Sequence, residues 1–577
     1  MLDVDVLREK GKNAMFVFRI AGPAVSFAVS ASLYAQVAPQ PTIPEQVDPR
    51  SIVQPATAIH EQPPQILPTA VPAVSIGMNF EGADLNDSGF RPPDTMGAIG
   101  PAHFVELING TYAVYDRNSG TLVQMTSLDQ FWTNAGATPQ GNFSFDPRVV
   151  YDASTSRWFA CAVDAGATTF SGILVAVSVS SNPTLGWTGF RIDADTDNQQ
   201  WADFPTMGID ADALYVSANM FATGGGSFQL NFWVFPKADL VAGSIANMTA
   251  IEGLSINNVG FALQPVVDLD GSGLPAPILA DFNTPAGVAV RSDVVGPLNS
   301  AGVTPGPLVG FVPFSSPPDA DQPGPKQNIN TGGNRLGSNV VLQGGFMWAV
   351  QSVNSGGRSA IRWLRIDPNT NTVVEEGVLS DLSLAFYYPS IAVNDFGNIV
   401  IGCSGSGAAQ FVSAYAFAGQ YDGVSTLFTT PILLRAGVSD YLLLDSSNRN
   451  RWGDYSATTL DPNNPRHFWT IQEFVAGADF WSTQITEIIF PAVACSPADL
   501  TTQGAGVGDP GFGVPDGLIT AADINFYVNA WVTGSLAIAD LTTQGAGVGD
   551  PLFGVPDGLI TAADINFYVN MWVQGCP

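Results

Sequence analysis

The sequence predicts a mainly β protein: a β-propeller of about seven blades, followed by a small helical module built from a tandem repeat. Three observations lead there. A strand–turn–strand pattern returns through most of the chain. The composition favours short strands and tight turns, with Gly 60, Pro 42 and only 12% charged residues, against about 25% in ordinary soluble domains. The segments 498–534 and 539–575 are nearly identical.

The chain begins with a polar, basic stretch (Arg8, Lys10, Lys12), then an apolar run from Met15 to Tyr34 that ends in Leu33-Tyr34-Ala35-Gln36. A short apolar run closed by a small residue has the form of a secretory signal peptide, assigned to 1–35. Arg19 and Pro23 leave it short for a membrane anchor, which needs about 20 apolar residues. No later run is long enough to span a bilayer. The segment 36–76 is Pro-rich ("APQPTIPEQVDPR", "EQPPQILPTAVPAV"). Proline fixes φ and removes a donor, so this stretch reads as a semi-extended linker.

The large body is assigned to 77–491. Its pattern opens with an Asp or aromatic residue and a short apolar strand. A turn containing Asp, Asn or Gly follows, then a second strand. Copies start near Pro93, Asp146, Asp203, Gln264, Asn334, Tyr387 and Gly453. Such units protect their edges when packed radially around an axis, which favours a propeller. A pair of β-sandwiches is the alternative.

The net charge is -30. That field repels phosphate backbones and excludes nucleic acid as a natural partner, while it suits divalent cations. Catalytic signals in the body are thin. The three histidines are His60, His103 and His467, with no nucleophile-elbow motif near the two outside the linker. Asp94, Asp146, Asp203 and Asp454 each stand where a unit's first strand begins, with Arg148, Arg335, Arg451, Tyr388 and Tyr455 in the same pattern. Asp94, Asp203 and Asp454 are therefore the catalytic candidates, since paired carboxylates can serve as acid and base on a glycoside. The simpler expectation for each Asp is that it caps a turn or bonds a neighbouring unit's backbone. "DLDGSG" from Asp268 reads as a hairpin turn. Cys161 and Cys403 lie in strand-like runs and are expected as buried free thiols.

In the tandem repeat (495–577 overall), Asp499, Asp509, Asp516 and Asp523 recur as Asp540, Asp550, Asp557 and Asp564. "DGLITAAD" has the shape of the second half of an EF-hand-type loop, with hard carboxylate oxygens that suit Ca2+. All eight aspartates are candidate ligands. The helix after each loop carries Ile524, Tyr527, Val528 and Trp531 on one face, expected to be buried against its twin. Cys495 and Cys576 bracket the repeat pair. A disulfide between them would staple its ends, or Cys576 could serve as a tether.

The repeat resembles the dockerin of secreted bacterial proteins, and in particular the variant ending in Gly-Cys, here Gly575-Cys576. It departs from the ordinary dockerin in the Gly-rich insert "TTQGAGVGDPGFGVP" between the first two expected ligands. The resemblance implies calcium binding and docking to a cohesin-like or cell-surface partner. The body resembles a family of large secreted bacterial proteins of poorly defined activity, through "PDTMGAIGPAHFVELINGTYAVYD", "DPRVVYDASTSRWF", "YYPSIAVNDFGNIVIG" and "NRWGDYSATTLDPNNPRHFW". That resemblance supports a propeller and brings no catalytic assignment.

The expectation is a secreted, surface-attached binding protein, with glycan as a possible ligand and calcium as cofactor. The alternatives are a secreted glycoside hydrolase or lyase acting on polysaccharide, and a structural envelope component.

Overall fold

Each apolar run flagged by the pattern pairs with the run beyond its turn, and the turn chemistry explains why. In the unit at Asp146, the carboxylate of Asp152 accepts hydrogen bonds from the backbone of Ser154 (3.2 Å) and Thr155 (3.3 Å). This Asx turn closes Ser144–Asp152 onto Arg157–Asp164 as an antiparallel hairpin. A computed structural model describes residues 74–491 and 496–574, apart from 142, 226–227, 284–286, 422–424, 508–511 and 516–517. It also describes the backbone of short strands at 5–7, 15–17 and 45–46. Apart from those strands, the segment 1–35 read as a signal peptide and nearly all of the linker lie outside the described residues, as do Asp509, Asp516, Cys495 and Cys576.

The hairpins extend into four-stranded antiparallel meanders that begin at Gly97, Ser144, Gln200, Phe261, Val341, Ala385 and Ala457. The Gln200 and Val341 meanders are joined through the short strand Val267–Asp268, which runs parallel to both. The Ala385 meander carries an additional strand, Ile432–Arg435. The innermost strands at Gly97, Ser144, Gln200 and Phe261 lie side by side in turn, as do those at Val341, Ala385 and Ala457; Val267–Asp268 joins the two runs by pairing with the Val341 strand, and the strand at Ala457 lies against that at Gly97. The ring is closed, and the architecture is a β-propeller. Six tryptophans (Trp132, Trp158, Trp233, Trp452, Trp469 and Trp481) are fully buried in the clusters between the sheets. Cys161 and Cys403 are buried free thiols on central strands, as expected from their apolar runs.

Closure uses the start of the domain. The strand Ser75–Asp84 is the outer strand of the Ala457 meander, antiparallel to Phe480–Ile489. It begins inside the stretch read as linker, so the Pro-rich reading extends too far by its last residues. Glu106 ties the seam. Its two oxygens accept from the Ala83 N–H (2.9 Å), the Tyr115 hydroxyl (2.8 Å) and the Thr483 hydroxyl (2.6 Å), so one buried carboxyl joins three segments.

In the C-terminal repeat, helices Ala521–Thr533 and Ala562–Gln574 are related by reciprocal contacts. The rings of Tyr527 and Tyr568 stack at 4.0 Å. The Tyr527 hydroxyl donates to the Ala539 carbonyl and that of Tyr568 to the Ala498 carbonyl, so each repeat grips the other. One expectation is corrected here: Val528 is 50% exposed, not buried with Tyr527. The tyrosine stack occupies the contact and turns the valine outward. Among the described residues no helix is long and apolar enough to cross a membrane.

Candidate functional site

The innermost strands share a local irregularity. Register shifts fall between Phe145 and Arg148, Asp203 and Thr206, Phe261 and Gln264, and Tyr387 and Ser390. Asp146, Phe204, Ala262 and Tyr388, inside these bulges, have positive φ between 50° and 53°, and Asp94 has the same turn of backbone at 50°. Proline follows in three of the four bulges, where no ladder N–H is required. A bulge bends its strand and re-aims side chains. Here it gathers charged groups from several sheets on the propeller axis.

Asp94, Asp146, Asp203 and Asp454 all reach this cluster, and all are buried. The Asn109 amide donates to Asp94 Oδ2 (2.8 Å), while its oxygen accepts from the Asp146 N–H (2.8 Å). Asp146 Oδ2 in turn accepts from the Phe204 N–H (3.1 Å). Asp146 thus bonds the backbone of the next sheet, as the simpler expectation has it, while Asp94 bonds the Asn109 side chain of its own sheet. Asp454 is clamped by Arg335 (2.6 Å) and Arg451 (3.0 Å). Arg148 lies 3.5 Å above the Tyr455 ring and donates to the carbonyls of Pro205 and Gly337.

Burial dominates the electrostatics. It raises the Asp94 pKa to about 7, helped by Asp454 and opposed by Arg451, Asn109 and Asp146. Asp146 is pushed well above the ordinary carboxylate range by burial and by the neighbouring Asp94, Asp203 and Asp454. Asp281, buried beside Arg335, is also raised to about 7 by desolvation, against a hydrogen bond from the Leu336 N–H. Glu473 belongs to the cluster as well. Burial and Asp94 raise it, and Arg451 lowers it.

Chemically, this is a store of protonatable carboxyls beside an arginine-clamped carboxylate. It is also tightly packed. The pocket lined by Thr331, Gly332, Gly333, Arg335, Tyr388 and Asp454 has a volume of about 10 Å³, room for about one water. No sugar ring fits it in this conformation.

The sequence pattern did not mark Glu473, Asn109 or Asp281. A single charged residue in an apolar strand ("TIQEFVAG", "HFVELING") was the available signal for Glu473 and also for Glu106. Neither His103 nor His467 joins the axis, and His60 lies outside the described residues. His467 Nδ1 lies 2.8 Å from Glu487, near Asp461. Arg117 pairs with Asp461, whose oxygens also accept from Trp469 and Asn463. All three of these ligand-type side chains are therefore already hydrogen-bonded. Asp268 accepts from the N–H groups of Asp270 (2.8 Å) and Gly271 (3.1 Å) and is a turn residue.

In the second repeat all four aspartates are described. Asp540 accepts from the N–H groups of Asp557 (3.0 Å) and Gly558 (2.6 Å), with Gly558 at φ 84°, the bend a cation loop needs. Asp550 caps a turn at Leu552 (2.9 Å). Asp564 is used otherwise. Its oxygens accept from the N–H groups of Leu541 (2.7 Å), Thr542 (2.9 Å) and Thr561 (2.7 Å), and from the Thr561 hydroxyl (3.2 Å). Four donors occupy the lone pairs of a carboxylate, so Asp564 is a helix cap and loop clamp here rather than the closing ligand. Asp523 makes the corresponding four contacts in the first repeat, where Asp499 is buried. The donor set of hard oxygens fits calcium at Asp540 and Asp557. Asp523 and Asp564 fit it only by releasing their donors.

No protein-family model matches the chain, and no curated protein matches it. Solved structures similar to it include an exo-1,5-α-L-arabinanase from a bovine ruminal metagenomic library (11% identity, 58% of this chain and 95% of that one, TM-score 0.28). They also include an endo-arabinase of Bacteroides thetaiotaomicron (12%, 60% and 94%, TM-score 0.28) and the parainfluenza virus 5 hemagglutinin-neuraminidase (7%, 63% and 95%, TM-score 0.32). Likeness at these scores carries no activity to this chain. The propeller assignment rests on the strand pairing.

Proposed function

We propose that the chain is an exported, surface-associated protein whose C-terminal repeat docks a seven-bladed propeller onto a partner. The observation that carries docking is the outward face of the repeat. Val528 and Val532 on one helix and Val569 and Val573 on the other are 50–72% exposed, and the reciprocal tyrosine contacts make the two rows equivalent. Exposed apolar rows on a small module favour a protein partner. The seven-blade count is supported by the seven meanders and by the contact between the last inner strand and the first. Calcium enters through Asp540 and Asp557, with Asp564 as a clamp.

The test is retention of the full chain on a washed cell-surface fraction, with and without chelator, for the wild type and for Val532→Asp/Val573→Asp. Loss of retention in the variant supports docking. Equal retention of both chains sinks it.

Binding is favoured over catalysis for the body because its candidate carboxyls are buried. Glycan binding gains little, since no Trp or Tyr among the described residues is exposed as a stacking platform. The hydrolase or lyase reading keeps one specific support. Asp94, raised to about 7, stands by an arginine-clamped Asp454, and such a separation of roles suits an acid and a base. Released sugar from a polysaccharide panel, abolished by Asp94→Asn and Asp454→Asn in folded protein, would establish it. Its absence across the panel removes it.

A further inference from the structure

Asp94 and Asp146 come from adjacent sheets, and both are 0% exposed. Each spends one oxygen on a fixed donor, Asp94 on the Asn109 amide of its own sheet and Asp146 on the Phe204 N–H of the next, while the Asp146 N–H crosses the seam to the Asn109 oxygen. The other oxygen of each, Oδ1, meets no donor among the described residues. One amide, that of Asn109, bridges the Asp94 carboxyl and the Asp146 N–H, so the two carboxyls are close enough to act on one another. Two ionised carboxylates have four acceptor sites and no donor between them. Two unpartnered charged oxygens in a dry interior are expensive. A proton held between the two carboxyls removes both difficulties at once, because it supplies the missing donor and cancels one charge.

We propose that Asp94 and Asp146 share one proton, and that this acid pair is a pH-sensitive lock on the seam between the Gly97 and Ser144 sheets. The other groups facing the pair are accounted for. Asp454, Asp203 and Glu473 are negative neighbours that favour keeping the proton. Arg451 faces Asp94 and Arg148 faces Asp146, and both oppose it. Arg335 and Arg451 are already committed to Asp454. Tyr388 and Tyr455 also face the pair, and their hydroxyls donate to the Asn330 and Pro147 carbonyls (2.9 Å each), so neither supplies the missing donor. The step is a simple ionisation: the shared proton leaves to solvent as the seam opens, and the two carboxylates then repel.

Asn tolerates left-handed backbone, so Asp146→Asn keeps the positive φ of 53° without new strain, and its amide can donate to Asp94. The experiment measures the pH dependence of denaturant unfolding of the full chain between pH 4 and 8, with the proton uptake on folding obtained from the slope. The expected result is that Asp146→Asn takes up about one proton fewer than the wild type near pH 5–6, with a flatter pH profile. Asp94→Asn is the mirror variant if the first fails to fold, and the same deficit is expected. An unchanged uptake in the variant overturns the shared proton. So does a wild-type profile that flattens only on adding calcium or magnesium chloride, because a cation would then be the occupant.

Discussion

Glu106 is the most consequential single carboxyl for ring closure. Glu106→Ala removes the acceptor for Ala83 N–H, the Tyr115 hydroxyl and the Thr483 hydroxyl. A hydrogen bond contributes about 0.5–1.5 kcal/mol, and a buried donor left without a partner costs about 1–3 kcal/mol. These terms overlap, since the hydroxyls can turn to other acceptors. The expected loss is about 3–5 kcal/mol, with Tyr115→Phe and Thr483→Val each at about 1 kcal/mol. The assay is urea unfolding followed by tryptophan fluorescence, together with the proteolysis rate of the strand Ser75–Asp84. A loss below about 1 kcal/mol in Glu106→Ala, or an unchanged proteolysis rate at that strand, would refute the view that this carboxyl ties the closure. The pH sign follows from burial, which raises Glu106 above its ordinary 4.5 against its three hydrogen bonds. The folded protein then holds a proton that the unfolded chain has lost. This group's stability is full below 4.5 and declines as pH rises through the raised value. Glu106→Gln, which cannot ionise, is expected to remove that component of the slope.

Three further outcomes are expected. Burial would raise Glu487, but hydrogen bonds from His467 and the Met78 N–H outweigh it and hold the carboxyl below its ordinary value. Its contribution is present above pH 4.5 and lost as pH falls through the lowered value, so His467→Leu should shift acid unfolding to higher pH, read by circular dichroism. Tyr527→Ala should cost the repeat about 3–5 kcal/mol by analogy with large aromatic deletions. Tyr527→Phe, which keeps the stack and loses one hydroxyl contact, should cost about 1 kcal/mol; helicity on heating distinguishes them. Asp564→Ala should destabilise the second repeat with or without calcium, whereas Asp557→Asn should mainly lower calcium uptake, and calorimetric titration of the full chain separates the two.

Much of this was legible along the chain. Runs such as "DPRVVYDASTSRWFACAV" specify a hairpin locally, because the Asp152 turn and the apolar strands that flank it lie within twenty residues of one another. The same pattern placed Asp94, Asp146, Asp203 and Asp454 at the start of inner strands, which is where a bulge can turn them to the axis. The tandem repeat showed its duplication outright, and near-identical sequences in one chain tend to make matching contacts, as Tyr527 and Tyr568 do.

The rest depended on tertiary structure. Whether an axial aspartate is a reagent or a rivet turns on which N–H reaches it, and the Phe204 N–H that holds Asp146 is set by the packing of one sheet on the next. Asp523 and Asp564 fit a ligand pattern by spacing, yet the loop brings four donors to each before any ion. The closing strand Ser75–Asp84 pairs with Phe480–Ile489 at the far end of the body, a match with no local signal. Sequence by itself determined what each short segment could form, because turns and alternation are local. Tertiary structure alone decided which buried carboxyls are satisfied, because desolvation and donor count depend on neighbours that the chain brings together only on folding.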